Sequence, residues 1–211
     1  MSAAASVTLW GRANSINVQK VIWTLEELGC VYERIDAGGA FGGTDTDDFR
    51  SMNPGGLVPA LRDGDFSLFE SNSICRYLCD AKGGAALFPA SLEARYVCES
   101  WMDWQASLFW PAMRGAFMQT VRTAAADRDE GAIATSVAQS ETLLAAMERR
   151  LSDSAYLGGA AFTLADIPAA LTLNRWYQLD VATRRFAQVE AYFERLQQRA
   201  PFASIIAAPL S

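Results

Sequence analysis

The chain has 211 residues, 51% hydrophobic and 20% charged, a length and balance that allow one large or two small domains with a real core and exclude disorder. A formal charge of -6 argues against a nucleic-acid surface. Histidine is absent, which removes Ser-His-Asp and Cys-His nucleophiles, His-ligated metals and imidazole proton shuttles, so no metal site is expected.

Ser6 to Trp10 alternates as a strand, and Val18, Val21, Ile22, Leu25 and Leu28 then recur at helical spacing until Gly29 supplies a stop. Val31 to Asp36 alternates again. The glycine-rich, acidic stretch from Ala37 to Thr46 reads as a loop before a short helix near Asp48 to Met52. Next comes Asn53-Pro54-Gly55-Gly56-Leu57-Val58-Pro59-Ala60-Leu61. A proline just before a short strand, after such a turn, is a candidate for a cis peptide bond and cannot donate to a sheet. Val58 would then present its own backbone to an extended, peptide-like ligand, which could pair with it as an added strand does. Asp63-Gly64 between two short apolar runs signals a hairpin, and Ser71 is placed to cap a helix carrying Ile74, Tyr77 and Leu78. A charged end of the ligand could reach Glu70 and Ser71 at that helix start.

The order strand, helix, strand, helix, hairpin, helix predicts a mixed α/β sheet domain over residues 1–81. Residues 82–91 read as a linker, and the pattern over 92–211 is helical only. Val97, Trp101, Trp104 and Leu108 keep one face of a first helix, which Pro111 would kink or end. Leu144, Met147 and Leu151 mark a second helix, Ile167, Ala170, Leu171 and Asn174 a third, and Val189, Tyr192, Phe193 and Leu196 a fourth. Thr163 to Asp166 forms a capping-box signature before the third. Cys30, Cys75, Cys79 and Cys98 contain no Cys-x-x-Cys and read as buried thiols. There is no basic leader at Met1 and no apolar run near the ~18 residues of a membrane span, so the expectation is a cytoplasmic protein with no membrane partner.

Several of these segments, in this order, resemble the cytosolic glutathione transferase superfamily from about Thr8 to Phe202. Ser15-Ile16-Asn17-Val18-Gln19-Lys20-Val21 is similar to the family's first loop and helix start. Asn53 to Leu61 resembles its cis-proline segment, Glu70 to Ile74 its γ-glutamyl site, and Phe162 to Asp166 its helical-domain capping box. The resemblance implies a thioredoxin-like domain followed by an all-helical one. It also implies glutathione as co-substrate along Val58-Pro59, with Glu70 on the ligand's ammonium and Ser71 on its α-carboxylate.

The implied chemistry is transfer of the glutathione thiolate to a hydrophobic electrophile. By register Ser15 matches the activating serine, while a bacterial variant of the motif points to Asn17, and Asn14 is a third neutral donor in the same loop. The second substrate would meet Trp10, Phe109, Trp110, Met113, Arg114 and Phe117. A homodimer is implied, with Asp103 matching an acidic residue that reaches glutathione in the neighbouring subunit. Two features depart from the family: Ile16 replaces a proline, and Leu57 stands where a polar side chain reaches the glycyl end of glutathione, a loss for which Arg12 or Arg50 could compensate. A glutathione-dependent disulfide reductase and a non-catalytic binding module are the alternative functions.

Overall fold

The computed structural model describes residues 7–207 and Leu210. The chain divides after Ala85 into two compact units. The first contains β1 (Val7–Trp10), α1 (Ile16–Glu27), β2 (Tyr32–Ile35), α2 (Asp47–Met52), β3 (Ala60–Asp63), β4 (Phe66–Phe69) and α3 (Ser71–Ala81). Ser6, predicted as the start of the first strand, lies outside the described residues.

The sheet order is β2-β1-β3-β4, with β1 parallel to β2 and both other pairings antiparallel. This is a thioredoxin-like arrangement. Strand alternation splits it cleanly, since directly paired residues share a face. Val7 and Leu9 of β1 and Leu61 of β3 are fully buried, as are Val18, Val21 and Leu25 of α1 and Ile74 and Leu78 of α3, and the two helices pack on each other. On the other face Ala37, Phe49, Met52 and Ala60 form a small buried cluster, with Trp10 and Val58 against it. The helix on this side, α2, is only six residues long and is capped by Thr46, whose hydroxyl accepts from Phe49 N at 3.3 Å.

The second unit is helical: α4 (Leu92–Trp104), α5 (Trp110–Phe117), α6 (Glu130–Ser152), α7 (Asp166–Leu179), α8 (Ala187–Gln197) and α9 (Ala200–Ile206). Pro111 does not end its helix. It sits in the first turn of α5, directly after a π-helical turn over Gln105–Phe109, and a second π turn follows over Met118–Arg122. The wider turn accommodates a ring that would otherwise strike the carbonyl four residues back. Two features escaped the sequence reading: the Asp129 cap of α6, which accepts from Ala132 N at 2.9 Å, and the whole of α9.

The capping-box segment does more than start α7. The Asp166 carboxylate is buried and accepts from Leu157 N at 2.9 Å, Thr163 N at 2.8 Å and the Tyr192 hydroxyl at 2.9 Å. It therefore ties a loop, the start of α7 and the middle of α8 to one point. Burial pushes its pKa up to about 6, and the hydrogen bonds offset that only in part.

Candidate active site

The loop after β1 is held by backbone contacts and by the Arg34 guanidinium, which donates to Gly11 O at 2.8 Å. Gly11 N donates to Ile35 O at 2.9 Å, Arg12 N to Ala37 O at 3.1 Å and Ser15 N to Arg12 O at 3.1 Å. Gly11 is required, because a β-carbon there would lie 2.4 Å from Val18 Cγ2 at a φ of 154°. Ser15 occupies the N-cap position of α1, yet its hydroxyl makes no capping bond. Among the described residues that hydroxyl is uncommitted. Asn17, in the first turn of α1, accepts through Oδ1 from the Ser71 hydroxyl at 3.3 Å, which brings two segments 54 positions apart to one place. Asn14 is half-buried in the same loop.

Asn53 builds the second wall. It is buried, its Nδ2 donates to Leu57 O at 2.6 Å, and its Oδ1 and carbonyl accept from Gly55 N and Gly56 N, both at 3.0 Å. The Val58–Pro59 bond is cis, as the sequence predicts. Among the described residues neither the N–H nor the C=O of Val58 makes a hydrogen bond, although its side chain is packed. Such a half-buried, unpaired peptide edge is unusual, since buried backbone groups are nearly always paired.

Gly38 explains how a cation comes beside that edge. A β-carbon on Gly38 would lie 3.1 Å from Val58 Cγ1 and 3.3 Å from Arg12 Nη1, and one on Gly39 would lie 3.4 Å from Arg12 Cδ. The glycine pair thus lets the Arg12 side chain lie flat beside Val58. The half-exposed Arg12 guanidinium makes no hydrogen bond or ion pair among the described residues. Arg50 lies farther along the turn, its Nη2 3.9 Å from where a Gly56 β-carbon would stand. Leu57 is 71% exposed and does no visible packing.

The helix start differs from the sequence reading. Glu70, not Ser71, is the N-cap of α3, and Ser71 is its first helical residue, with its hydroxyl turned to Asn17. Glu70 adopts φ 70° and ψ 109°, a conformation that costs a non-glycine residue on the order of 1–3 kcal/mol and concentrates at functional sites. No side chain caps α3, so its N-terminal end keeps its capacity for an anion. Glu70 itself is exposed.

Trp10 shares the α2 face of the sheet with Thr8 and Arg62 and packs on the Phe49 cluster. In the second unit Phe109, Met113 and Phe117 are buried, Trp110 is half-buried against Phe117 at 5.5 Å between ring centroids, and Arg114 and Asp103 are exposed. Among the described residues the four cysteines form no disulfide. Cys75, Cys79 and Cys98 are buried, and burial pushes the Cys75 thiol up to about 11, which makes it a poor nucleophile at neutral pH.

Comparison with known proteins agrees with this geometry. Residues 5–80 match the family described as glutathione S-transferase, N-terminal domain, and residues 102–200 the corresponding C-terminal domain. Glutathione S-transferase GstB of Escherichia coli is 37% identical over 97% of this chain and 100% of its own. Glutathione S-transferase 3 of Zea mays is 33% identical over 97% and 95%. Among solved structures, the theta class glutathione S-transferase of Xanthomonas axonopodis pv. citri with glutathione bound superposes with a TM-score of 0.93 at 38% identity, covering 99% of this chain and 100% of that one.

Proposed function

The chain belongs to the glutathione S-transferase family and conjugates glutathione to electrophiles, and we propose that it does so with Ser15 as thiol activator and a hydrophobic compound as second substrate. The observation that carries the binding mode is the unpaired backbone of Val58. Glutathione is itself a short peptide, and its cysteinyl N–H and C=O supply the partners that Val58 lacks. Glu70 then meets the ligand's ammonium, and the α3 start with Ser71 meets its α-carboxylate. Arg12, lying beside Val58 without an acceptor, takes the glycyl carboxylate in place of the polar residue that Leu57 displaces.

Activation needs little machinery. Lowering a thiol pKa from roughly 8.5 to 6.5 requires about 2.7 kcal/mol of preference for the anion, and one hydrogen bond to a charged group supplies roughly 1.5–3 kcal/mol. Ser15 has the uncommitted hydroxyl that such a bond requires. The Asn17 carbonyl is engaged by Ser71, which supports a role for Asn17 in holding the γ-glutamyl end and leaves its amide as a secondary donor. Of the five second-unit residues expected to meet the electrophile, only Trp110 and Arg114 have surface to offer, while Phe109, Met113 and Phe117 are buried and belong to the core.

A homodimer accounts for the apolar surface. Phe66 and Phe69 are exposed on the edge strand β4, and Leu92, Tyr96 and Val97 on α4, both features that a second copy would cover. In that dimer Asp103 of one subunit would approach the glutathione of the other. Cytoplasmic residence fits four cysteines outside any disulfide, and among the described residues no helix is long and apolar enough to cross a membrane. Ser15→Ala is expected to lose thiol conjugation while binding glutathione and folding normally. Full turnover in both Ser15→Ala and Asn17→Ala would refute both assignments, and a monomer in light scattering at micromolar concentration would refute the dimer.

A further inference from the structure

Helix α5 runs between two turns that leave its rotation open. At the first, Trp110 N donates to Gln105 O, five residues back rather than four, and the second π turn begins at Met118, directly after α5 ends. Each holds one residue more than an α turn, so regularising either one would rotate the helix beyond it by about 100°. The Gln105 side chain donates to Thr172 Oγ1 at 2.8 Å, which ties the first π turn to α7 but not the helix that follows it.

What holds α5 is a side chain of α6. The buried Ser136 hydroxyl donates to Ala112 O and accepts from Ala116 N at 2.9 Å. Those two groups stand one turn apart and would be each other's partners in a plain α-helix. Ser136 therefore grips the backbone of α5, not a side chain that could swing. Gly115 permits the approach, since a β-carbon there would lie 3.1 Å from Ser136 Cβ and 3.2 Å from its Oγ. Ser140, one turn along the same face of α6, is fully buried, and among the described residues its hydroxyl has no partner. Burial on this face does not by itself produce such a grip.

At about 100° per residue, Ala112 and Ala116 face α6 while Trp110 and Arg114 lie about 160° round the helix. We propose that Ser136 is a positioning residue for the second substrate: by pinning the Ala112–Ala116 turn it fixes the rotation of α5, and with it the direction in which Trp110 and Arg114 meet the electrophile. This rests on the reading of Trp110 and Arg114 as second-substrate contacts. Ser15, Val58 and Glu70 belong to the first unit, so glutathione binding and thiol ionisation are independent of the pin. In Ser136→Ala, Ala116 N can return to Ala112 O, so α5 stays helical and the protein folds.

The test measures kcat/KM of the full chain for chlorodinitrobenzene and for phenethyl isothiocyanate at saturating glutathione. In Ser136→Ala the ratio of the two values should change about fivefold or more, with the glutathione KM and the bound-thiol titration as in wild type. A loss of folded protein alone would lower both values in proportion and leave the ratio fixed. Gly115→Ala, which disturbs the same contact from α5 and keeps the hydroxyl, should shift the ratio too, and Ser140→Ala should not. Hydrogen exchange gives a readout apart from turnover, and the Ala116 amide should exchange faster in Ser136→Ala than in wild type. A ratio unchanged in Ser136→Ala but altered in Trp110→Ala would overturn the positioning role alone, as would an equal shift in Ser140→Ala. A ratio unchanged in both Trp110→Ala and Arg114→Ala would overturn the second-substrate reading and the proposal with it.

Discussion

Asp166 is the most consequential buried charge outside the active site, and its replacement by Asn has a pH signature that a packing defect would not produce. The carboxylate gathers three hydrogen bonds of 2.8–2.9 Å from Leu157 N, Thr163 N and the Tyr192 hydroxyl, and is fully buried. Alanine would leave these three donors without an acceptor, each costing roughly 1–3 kcal/mol, so a loss of about 4 kcal/mol is expected. Asn keeps one acceptor oxygen and removes the titration. In the wild type the pKa rises from 3.8 to about 6, so the folded state holds the proton more tightly than the unfolded chain does. The stability this contributes is complete below about pH 4 and is lost as pH rises through about 6. At about 1.4 kcal/mol per pH unit, the rise corresponds to about 3 kcal/mol. Urea unfolding followed by far-ultraviolet circular dichroism at pH 4, 5, 6 and 7 measures it. The stability gap between wild type and Asp166→Asn should be larger at pH 4 than at pH 7 by about 3 kcal/mol. A gap that is constant, or that widens toward pH 7, refutes burial as the dominant influence on this carboxylate.

Arg12→Met should raise the glutathione KM about tenfold with a smaller change in kcat, the pattern of a lost ground-state contact, and initial rates at varied glutathione would show it. Gly38→Ala places a β-carbon against both Val58 and Arg12 at a φ of 77°, so calorimetry should find weaker glutathione binding in a protein that still folds. Thr163→Ala should cost about 1 kcal/mol in urea unfolding and leave glutathione binding unchanged, since its hydroxyl donates to Asp166 and accepts from Ala165 N at the start of α7.

Local patterns with one physical meaning were legible in the sequence. The alternation of Val7 to Trp10, the spacing of Val18 to Leu25 and the proline after Val58 each allow few backbone solutions, and the structure adopts them. Serine's preference for helix starts points to Ser71 as the cap, but Glu70 takes that position at a positive φ, a conformation that tertiary structure imposes against local preference. At Pro111 the sequence shows the missing donor but not the π turn that precedes it, so it does not reveal that the chain stays helical through this point. The Asn17–Ser71 contact and the Arg12–Gly38 packing join residues far apart in the chain, so no local signal could announce them. The Gly38-Gly39 pair was the one trace of the latter, visible as composition but not as a neighbour for arginine. Leu57 remains a departure from the family at the position itself, and Arg12, from across the loop, is the residue proposed to answer it.

The most direct test of the account is a pH titration of glutathione bound to the wild type, Ser15→Ala and Asn17→Ala, followed by thiolate absorbance. The wild type should ionise the bound thiol about two pH units below free thiol, Ser15→Ala should return it close to roughly 8.5, and Asn17→Ala should weaken binding more than it moves the titration. An unshifted wild-type thiol, or one that stays shifted without the Ser15 hydroxyl, would contradict the claim that this loop makes the nucleophile.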